Sequence, residues 1–510
     1  MPINLKALIV VLVIASIVFT AAKKTALLFS AEKDFQRRRN VWFVLTIAAF
    51  LTPNIWLYAL IAIPFLVLSG RRDTNPSAFY FFVLFTVPPV AATIALPGGA
   101  KLIDVTNPVL IVVCVLIPAA MRLRRAEKGN RIQGLHAVDW CLLAYGVLTS
   151  VFYIHLTAPD GSFYQSSFSD FVRRMIVFSI GVFIPYFVIS RSARNRRSML
   201  DNIAAFILPC LVMAAIGIFE SARGWLLYES IPVRWGLADS FTSYFIRGSS
   251  LRAMASTPHS LALGYDLAIA FGLWLSLQAY VESRPRRYVV TAMLCLALIV
   301  TYSRGPWACA ALIYVAFVSL RPGSRSALVK SVLASTAVLG VISLTPFGEK
   351  IEALIPFLGG KVGDASIDYR RRLFARGLEI FQENPILGDQ FALAKMQDLR
   401  QGQGIIDLVN GYVSEGLSRG AIGLTLFLSV TLSALFKTLA ASKAVRTVDR
   451  RFASVGLSLA CGLGGTLFLW AFGGPDAGIL WALVAMAVAY SHMSQPQRIE
   501  LLRDAKVVTA

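Results

Sequence analysis

Charged residues are scarce in this chain of 510 residues, where they make up 15% of the sequence against 56% hydrophobic residues. Soluble globular domains carry roughly 25% charged residues, so the composition excludes an ordinary soluble protein. Acidic residues are the scarcer of the two signs, with 28 Asp and Glu against 49 Lys and Arg and a formal net charge of +21. The sequence therefore predicts an all-α polytopic membrane protein.

Motifs for cofactor chemistry are also missing. The sequence has no Gly-rich phosphate loop, no clustered His and Cys ligands and no dinucleotide fingerprint. Its six cysteines lie in apolar runs without metal-ligand spacing, which is typical of packing residues. They are Cys114, Cys141, Cys210, Cys295, Cys309 and Cys461. Chemistry that needs ATP, a metal or a nicotinamide is not indicated, and we expect no cofactor.

What the sequence does have is a long series of apolar runs, from residues 5–22 to residues 478–490. Most are long enough for the roughly 20 residues of a spanning helix. Pro53 and Asn54 divide residues 40–70, which we interpret as two short spans. Clusters of Lys and Arg separate the runs. If each cluster is cytoplasmic, two spans lie between neighbouring clusters, which gives about fifteen spans with the N-terminus outside. These clusters are topology signals and contacts to lipid headgroups, and nucleic-acid binding has no support.

The alternation of apolar and polar segments divides the chain into six parts. They are N-terminal transmembrane helices (1–220), a periplasmic loop (221–258), transmembrane helices (259–346), a large periplasmic loop (347–418), C-terminal transmembrane helices (419–494) and a cytoplasmic tail (495–510).

Arginine also occurs at the extracytoplasmic mouths of the predicted spans, where the positive-inside rule does not require it. Three short stretches hold such residues: 252–259, 302–307 and 369–372. Arginine is costly near hydrocarbon, so it usually faces an internal cavity and meets an anion there. We interpret that anion as a lipid-linked pyrophosphate. Further basic residues on this side, among them Arg173, Arg174 and Arg419, predict a positive cleft that attracts a polyanionic lipid.

The large polar loop contains a predicted helix. Asp364 and Asp368 are candidate N-caps, and Pro385 followed by Gly388 provides a stop. Between them Phe374, Leu378 and Phe381 recur at helical spacing, with Arg370 four residues before Phe374. We expect a lid helix whose apolar face directs Arg370 toward the membrane cavity, with a buried structural ion pair as the alternative.

Several of these stretches resemble one protein family. Tyr302-Ser303-Arg304-Gly305-Pro306-Trp307 resembles the Ser-Arg-Gly-x-Trp signature of the O-antigen ligase and Wzy-type polymerase superfamily. Arg370, Phe374 and Asn384-Pro385-Ile386-Leu387-Gly388 resemble its R-x-x-x-W and N-P-hydrophobic-L-G motifs. Val409-Asn410-Gly411-Tyr412 and Gly420-Ala421-Ile422-Gly423 resemble its His-Asn-x-Tyr-Leu and G-x-x-G motifs. The resemblance covers roughly residues 252–427.

The resemblance implies a GT-C-like helical bundle with a helical periplasmic cap, and a glycosyltransferase that needs neither a nucleotide sugar nor a metal. Such an enzyme moves a glycan from undecaprenyl pyrophosphate to an acceptor hydroxyl. Arg304 and Arg370 would clamp the leaving pyrophosphate, because guanidinium groups stabilise developing negative charge. Arg252 would be a third contact or a headgroup anchor. The other expected substrate contacts are Arg371, His259, Asn410 and Tyr412.

One position departs from the family. Where ligases carry the histidine proposed to activate the acceptor hydroxyl, this chain has Val409, which cannot take a proton. Asp407, two residues upstream, is the first candidate for a replacement base, and an ion pair to Arg304 or Arg370 is its alternative role. His259 is the second candidate and Glu415 is the third.

The expected function is a polymerase of exopolysaccharide or O-antigen repeats in the inner membrane of a Gram-negative bacterium, with a periplasmic active site. Ligation to lipid A-core is the first alternative. A lipid-linked oligosaccharide flippase is the second, although such a transporter would show internal repeats and polar groups near the midplane. Expected partners are the bilayer, the undecaprenyl-pyrophosphate-linked glycan, and a chain-length regulator or flippase of the same pathway.

Overall fold

The structure is a computed structural model, and its description is confined to part of the chain. The described residues are 2–95, 101–125, 136–151, 156–157, 163–164, 168–237, 246–247, 250–321, 364–389, 391–400, 406, 408, 410–473 and 477–494.

Helices dominate the described residues. The N-terminal helices are α1 (Ile3–Ala26), α2 (Glu32–Leu51), α3 (Ile55–Arg72), α4 (Pro76–Val83), α5 (Asn107–Ile111), α6 (Ile117–Arg125), α7 (Ala137–Val151), α8 (Phe168–Phe178), α9 (Ile184–Ser192), α10 (Arg196–Arg223) and α11 (Ser230–Arg234). The later ones are α12 (Ser260–Leu277), α13 (Arg284–Val300), α14 (Arg304–Ser319), α15 (Asp364–Glu383), α16 (Gly411–Val445), α17 (Arg450–Trp470) and α18 (Ala477–Met493). Short π-helical turns, Val112–Leu116 and Ser179–Phe183, join α5 to α6 and α8 to α9.

The strands of the described residues form three small antiparallel hairpins. They pair β1 (Ala92–Ala95) with β2 (Lys101–Val105), β3 (Leu156–Thr157) with β4 (Phe163–Tyr164), and β5 (Ile246–Arg247) with β6 (Ser250–Leu251). In the first hairpin Thr93 lies opposite Asp104, and the register shifts between Ile94 and Ala95. None of the three hairpins was predicted from the sequence.

Several helices are long and apolar enough to cross a membrane. The seven described segments are Ile3–Ala26, Ile55–Arg72, Asp170–Ser192, Arg196–Arg223, Ser260–Tyr280, Gly411–Val445 and Arg450–Trp470, and four shorter apolar helices accompany them. The fold is therefore an all-α polytopic membrane protein, as the composition predicts. The total of about fifteen spans stays a prediction, because residues 322–363 lie outside the described part.

The division of residues 40–70 follows from their turn residues. Helix α2 ends at Leu51, and the Asn54 side chain accepts a hydrogen bond of 2.9 Å from the Leu57 N–H to cap α3. A side chain that takes up a free N–H in this way fixes the start of a helix. The segment is two helices, as expected from Pro53 and Asn54.

Contacts between helix ends bring the basic clusters together at one end of the bundle. Arg38 of α2 is 1% exposed and forms ion pairs of 2.8 Å with two carboxylates. One is Asp73, directly after α3, and the other is Asp201 in α10. Arg196 at the start of α10 pairs with Asp449, which caps α17, at 2.6 Å. We call this the basic end.

The family motifs gather at the other end, which we call the motif end. There the Tyr265 hydroxyl donates to the carbonyl of Phe472, beyond the end of α17, and the Ser256 hydroxyl donates to the carbonyl of Phe85. Close packing of α12 on α14 fixes the geometry, because a Cβ at Gly264 would lie 2.6 Å from Pro306. Pro306 belongs to the Ser-Arg-Gly motif, so this contact ties the motif to the bundle.

Candidate functional site

A cavity of about 1030 Å³ lies at the motif end. Much of its wall is apolar, from residues such as Leu84, Phe85, Val109, Val177, Phe178 and Ile479. Its described ionisable lining residues are Tyr80, Asp104, Arg173, Arg174, His259, Asp266 and Arg419. Three of the arginines of the predicted positive cleft thus share one cavity. An apolar wall beside cationic groups suits a ligand with a hydrocarbon chain and an anionic head.

Helix α12 contributes one polar face to this cavity. His259, Ala262 and Asp266 all line it, at the spacing of three and seven residues that places side chains on one helix face. Asp266 is 4% exposed and lies within the predicted span Ser260–Tyr280. Ionisable residues inside a span are rare and usually mark a substrate or ion site.

His259 forms the N-cap of α12. Its Nδ1 accepts a hydrogen bond of 3.0 Å from the Ala262 N–H, so the proton of the neutral ring is on Nε2. Although part of the residue is exposed, the protein around the ring lowers the pKa of His259, and the nearby Arg252 guanidinium lowers it further. The lowered pKa favours the neutral ring at pH 7. In that form the ring presents a donor and its Nδ1 is engaged in the cap, which weakens the second candidate for the base.

Arg252 holds the turn that carries Arg304. Its Nε donates to the Thr301 carbonyl at 3.2 Å, and its Nη2 donates to the Ser303 hydroxyl at 2.7 Å. Tyr302, in the same turn, has a φ of 48°, which is unfavourable for a residue with a side chain. Arg304 follows as the first residue of α14 and is half-buried. Arg252 therefore positions the Arg304 turn in the described structure.

Arg419 is held in place by two neighbours. It forms an ion pair with Glu415 of the same helix, and its guanidinium lies 5.3 Å from the centre of the Tyr145 ring of α7. The Tyr145 hydroxyl donates to the same Glu415 carboxylate at 2.9 Å. Glu415 is buried, and it therefore serves as the anchor of a cavity arginine. That role weakens it as the third candidate for the base, because both Arg419 and Tyr145 already engage its carboxylate.

Helix α16 is broken at Gly420, directly after Arg419. Gly420 has φ 62° and ψ −166°, a conformation that essentially only glycine adopts. The segment 384–388 fits against the break: the Ala421 N–H donates to the Pro385 carbonyl at 2.8 Å, and the Asp389 N–H donates to the Leu417 carbonyl at 2.6 Å. The N-P-x-L-G and G-x-x-G motifs thus meet through their backbones, and their role here is structural.

The lid helix exists, but most of its predicted packed face is wrong. Helix α15 spans Asp364–Glu383, close to the predicted start and stop. Its buried side chains include Leu373 and Ile380, which pack on Met396, and Phe381 packs against the same cluster. By contrast, Phe374 is 59% and Leu378 is 48% exposed. Two apolar stripes compete on this helix, and contacts with α16 and the turn Ala394–Leu399 select the other one.

The packed face of α15 determines which of its arginines are exposed. Arg370 and Arg371 are exposed, and Arg372 forms an ion pair of 3.2 Å with Asp368. A buried ion pair of Arg370 is therefore excluded. Its proposed contact with pyrophosphate stays a prediction, since no described contact brings it to Arg304 or to the cavity.

Asn410 and Tyr412 serve the start of α16. The Asn410 side chain accepts hydrogen bonds from the N–H groups of Tyr412 and Val413, at 2.9 and 3.2 Å. The Tyr412 hydroxyl donates to the Leu467 carbonyl of α17 at 2.7 Å. Both have a demonstrated place in the fold, and substrate binding by them stays a prediction. Asp407 and Val409 lie outside the described residues.

Comparison with known families identifies one region. Residues 289–428 match the family model described as O-antigen ligase. The chain carries an O-antigen ligase family domain. No curated protein matches the chain. The O-antigen ligase region includes Arg304, Arg370 and Arg419, whereas Arg252 and His259 precede it, so the resemblance begins later than we expected.

Most of the described cavity wall comes from residues before and after this region. Among the described lining residues, Arg419 alone belongs to residues 289–428. Sequence reasoning missed Asp104 and Asp266, although a lone carboxylate within an apolar run is a signal that could have identified Asp266. Within the described residues no group of three or more His, Cys, Asp or Glu could hold a metal ion.

Proposed function

We propose that the protein is an inner-membrane glycan polymerase. It transfers an oligosaccharide from undecaprenyl pyrophosphate to a hydroxyl of another lipid-linked repeat of an exopolysaccharide or O-antigen, at a site facing the periplasm. The O-antigen ligase region supports glycosyl transfer of the ligase or polymerase type. The observation that carries the choice of donor is the cavity in which Arg173, Arg174 and Arg419 lie beside an apolar wall.

The chemistry of the transfer fits these residues. The anomeric carbon of the donor glycan loses its bond to the pyrophosphate oxygen, and negative charge develops on the departing lipid pyrophosphate. Guanidinium groups fixed in a cavity of low dielectric stabilise that charge without reorganisation. Arg419, held by Glu415 and Tyr145, is positioned in advance for this role. The side chains therefore supply the electrostatic stabilisation that a metal supplies in other transferases.

Arg304 is the second part of the proposed site. It lies in the turn braced by Arg252, and that brace lies close enough to His259 to shift its pKa. We assign Arg304 to the pyrophosphate of the donor, with Arg370 as a further contact from α15. The His259 Nε2–H points to a hydrogen-bonded contact with the substrate rather than to proton removal.

Reconstitution with a defined lipid tests the proposal. Purified protein in nanodiscs is incubated with undecaprenyl-pyrophosphate-linked repeat, and the products are separated by length. Chains of two or more repeats with release of undecaprenyl pyrophosphate support a polymerase. Addition of lipid A-core tests ligation, the activity named in the family description: transfer to lipid A-core alone would contradict the polymerase. Movement of the lipid across the bilayer without glycosyl transfer would indicate a flippase and overturn both.

A further inference from the structure

The proposed transfer releases a proton from the acceptor hydroxyl, and the cavity must hold a group that takes it. A general base has to lie within hydrogen-bond reach of that hydroxyl. The ionisable groups on the described cavity wall are three arginines, Tyr80, His259, Asp104 and Asp266. Tyr80 is a phenol, which carries its own proton at neutral pH and is therefore not a candidate. Arginine stays protonated in proteins, so it cannot serve. Three groups therefore need to be compared.

His259 is excluded by its capping bond. Its Nδ1 already accepts from the Ala262 N–H, and its other nitrogen carries the proton of the neutral ring. Taking a second proton would place a full charge beside Arg252, which already lowers the pKa of His259. The ring is therefore suited to donation.

The two carboxylates differ in their surroundings. Asp104 lies on the β2 strand of the first hairpin, is half-buried, and accepts a hydrogen bond of 2.7 Å from the Thr93 hydroxyl at an exposed site. Asp266 is almost fully buried, about two turns into α12. Asp266 lies in the cavity wall on the same face of α12 as His259, whereas the Thr93–Asp104 pair lies at an exposed site. Position therefore favours Asp266 as the proton acceptor.

The charge in the cavity changes when the donor binds. Before binding, Arg173, Arg174 and Arg419 are cations on the same described cavity wall. The pyrophosphate of the donor offsets those positive charges. Binding of the donor thus removes positive charge that would oppose transfer of a proton into the cavity, at the stage when the acceptor must lose its proton.

We propose that Asp266 is the general base of the transfer, an inference that rests on the proposed function. The acceptor oxygen forms a bond to the anomeric carbon while the bond from that carbon to the pyrophosphate oxygen breaks. The hydroxyl proton passes to the Asp266 carboxylate, and the bonding electron pair leaves with undecaprenyl pyrophosphate. The other charged and titratable residues of the described cavity wall are Arg173 and Arg174 of α8, Arg419 of α16, Asp104 of β2, His259 beside α12 and Tyr80 of α4. The Cys210 thiol of α10 lies near enough to interact with Asp266.

Asp266→Asn tests this role, because it keeps the shape of the side chain and removes its basicity. Turnover at saturating donor and acceptor should fall about 10²–10⁴-fold, the usual contribution of one general base, with little change in the KM of the donor. Glu282→Gln changes an exposed carboxylate just before α13, at the basic end and away from the cavity, so it is the matched control and should retain turnover within a few-fold. A rise in KM alone would assign Asp266 to substrate binding and overturn the proposal.

A second variant separates catalysis from folding. Formate is small enough to enter the space left in Asp266→Ala and should restore part of its turnover, while leaving the turnover of Glu282→Ala unchanged. A purely structural carboxylate would not respond to formate, so absence of rescue in a monodisperse, donor-binding variant contradicts the proposal. Asp407→Asn is measured in parallel, and a large loss there with normal Asp266→Asn turnover would move the base to Asp407. An inactive wild-type protein would instead refute the proposed function itself.

Discussion

Arg304 and Arg252 show how one arginine prepares the position of another. Arg252 donates hydrogen bonds to the Thr301 carbonyl and the Ser303 hydroxyl. Arg304 directly follows Ser303 and is the first residue of α14. A guanidinium that is fixed before substrate arrives loses little entropy on binding an anion. The two residues therefore have different roles, although each is the arginine of a short stretch at the mouth of a predicted span.

Substitution of Arg304 should separate charge from geometry. We expect Arg304→Ala to lower turnover about 10²–10³-fold, the usual effect of losing one fixed donor to developing negative charge. Arg304→Lys should recover little activity, because lysine cannot make the planar two-pronged contact with phosphate. Arg286→Ala is the control, since Arg286 is exposed near the start of α13 at the basic end. Wild-type turnover in well-expressed Arg304→Ala would remove this residue from the mechanism.

His259 gives a prediction about pH. Its pKa is lowered in the folded protein, so folding favours the neutral ring. This contribution to stability is present above the ordinary histidine pKa of about 6.5 and is lost as the pH falls below it. Asparagine also caps helices well but does not titrate. The melting temperature of the wild type should therefore drop relative to His259→Asn between pH 8 and pH 5.5.

Two outcomes check that prediction. A constant difference in melting temperature across this pH range would show that His259 does not titrate abnormally. His259→Ala, which loses the cap altogether, should be less stable than His259→Asn by about 1 kcal/mol at pH 8.

Single residues also mark the limit of sequence reasoning. The arginines at the motif end could be found from the sequence, because arginine at the outer mouth of a span is costly unless it meets an anion. The bond from His259 Nδ1 to the Ala262 N–H could not, since a histidine next to a proline offers no sign of which nitrogen is engaged. Asp266 could be recognised only from the structure. Its place in the wall of a cavity shared with Arg419 depends on contacts between helices that are distant in the sequence.

At the scale of elements, the break in α16 connects the cap to the cavity. The cap consists of α15 and the turn Ala394–Leu399. Gly388 and Gly420 both have positive φ, of 78° and 62°. A Cβ atom added to either glycine would lie within 3 Å of the backbone nitrogen of the other. The helix that carries Glu415 and Arg419 on one side of the break continues into the bundle on the other side. The segment 384–388 thus holds the cap against the helix that supplies a cavity arginine.

Gly420→Ala should disrupt this junction. The new Cβ would lie 2.2 Å from the Ile386 carbonyl oxygen, and the φ of 62° would strain an alanine. A strained conformation of this kind costs about 1–3 kcal/mol before the clash is counted, so we expect a large fall in melting temperature. Gly464→Ala is the matched control, because a Cβ there meets nothing within 4 Å. Equal melting temperatures of the two variants would contradict a tight junction at Gly420.

Helix α15 explains why element boundaries were easier to predict than element faces. Its start at Asp364 and its end before Pro385 lie close to the predicted capping and stop residues, which act within a few positions. Its buried face depends on what it meets: Leu373 and Ile380 pack on Met396 and Leu417 from other parts of the chain. A helix with two apolar stripes does not reveal which one is packed.

At the scale of the whole molecule, charge sorts the bundle into two ends. The basic clusters meet at one end through contacts such as Arg196 with Asp449 and Arg446 with the Leu320 carbonyl. The motifs meet at the other end, where Arg252 contacts Ser303. The sequence predicts this separation because cytoplasmic loops carry an excess of Lys and Arg, whatever the function. The cavity is a different matter, since its walls come from helices throughout the chain.

The two ends lead to a prediction about topology. If the basic end is cytoplasmic, the cap and its neighbouring motifs face the periplasm. A cysteine at Gln397, exposed on the turn that follows α15, should react with a membrane-impermeant maleimide in intact cells. One at Ala444, exposed near the end of α16, should react only after the membrane is opened. The parent protein measures any background from its own cysteines, of which Cys295 is exposed. Labelling of Ala444→Cys in intact cells, with Gln397→Cys protected, would reverse the orientation and place the proposed glycosyl transfer on the wrong side of the membrane.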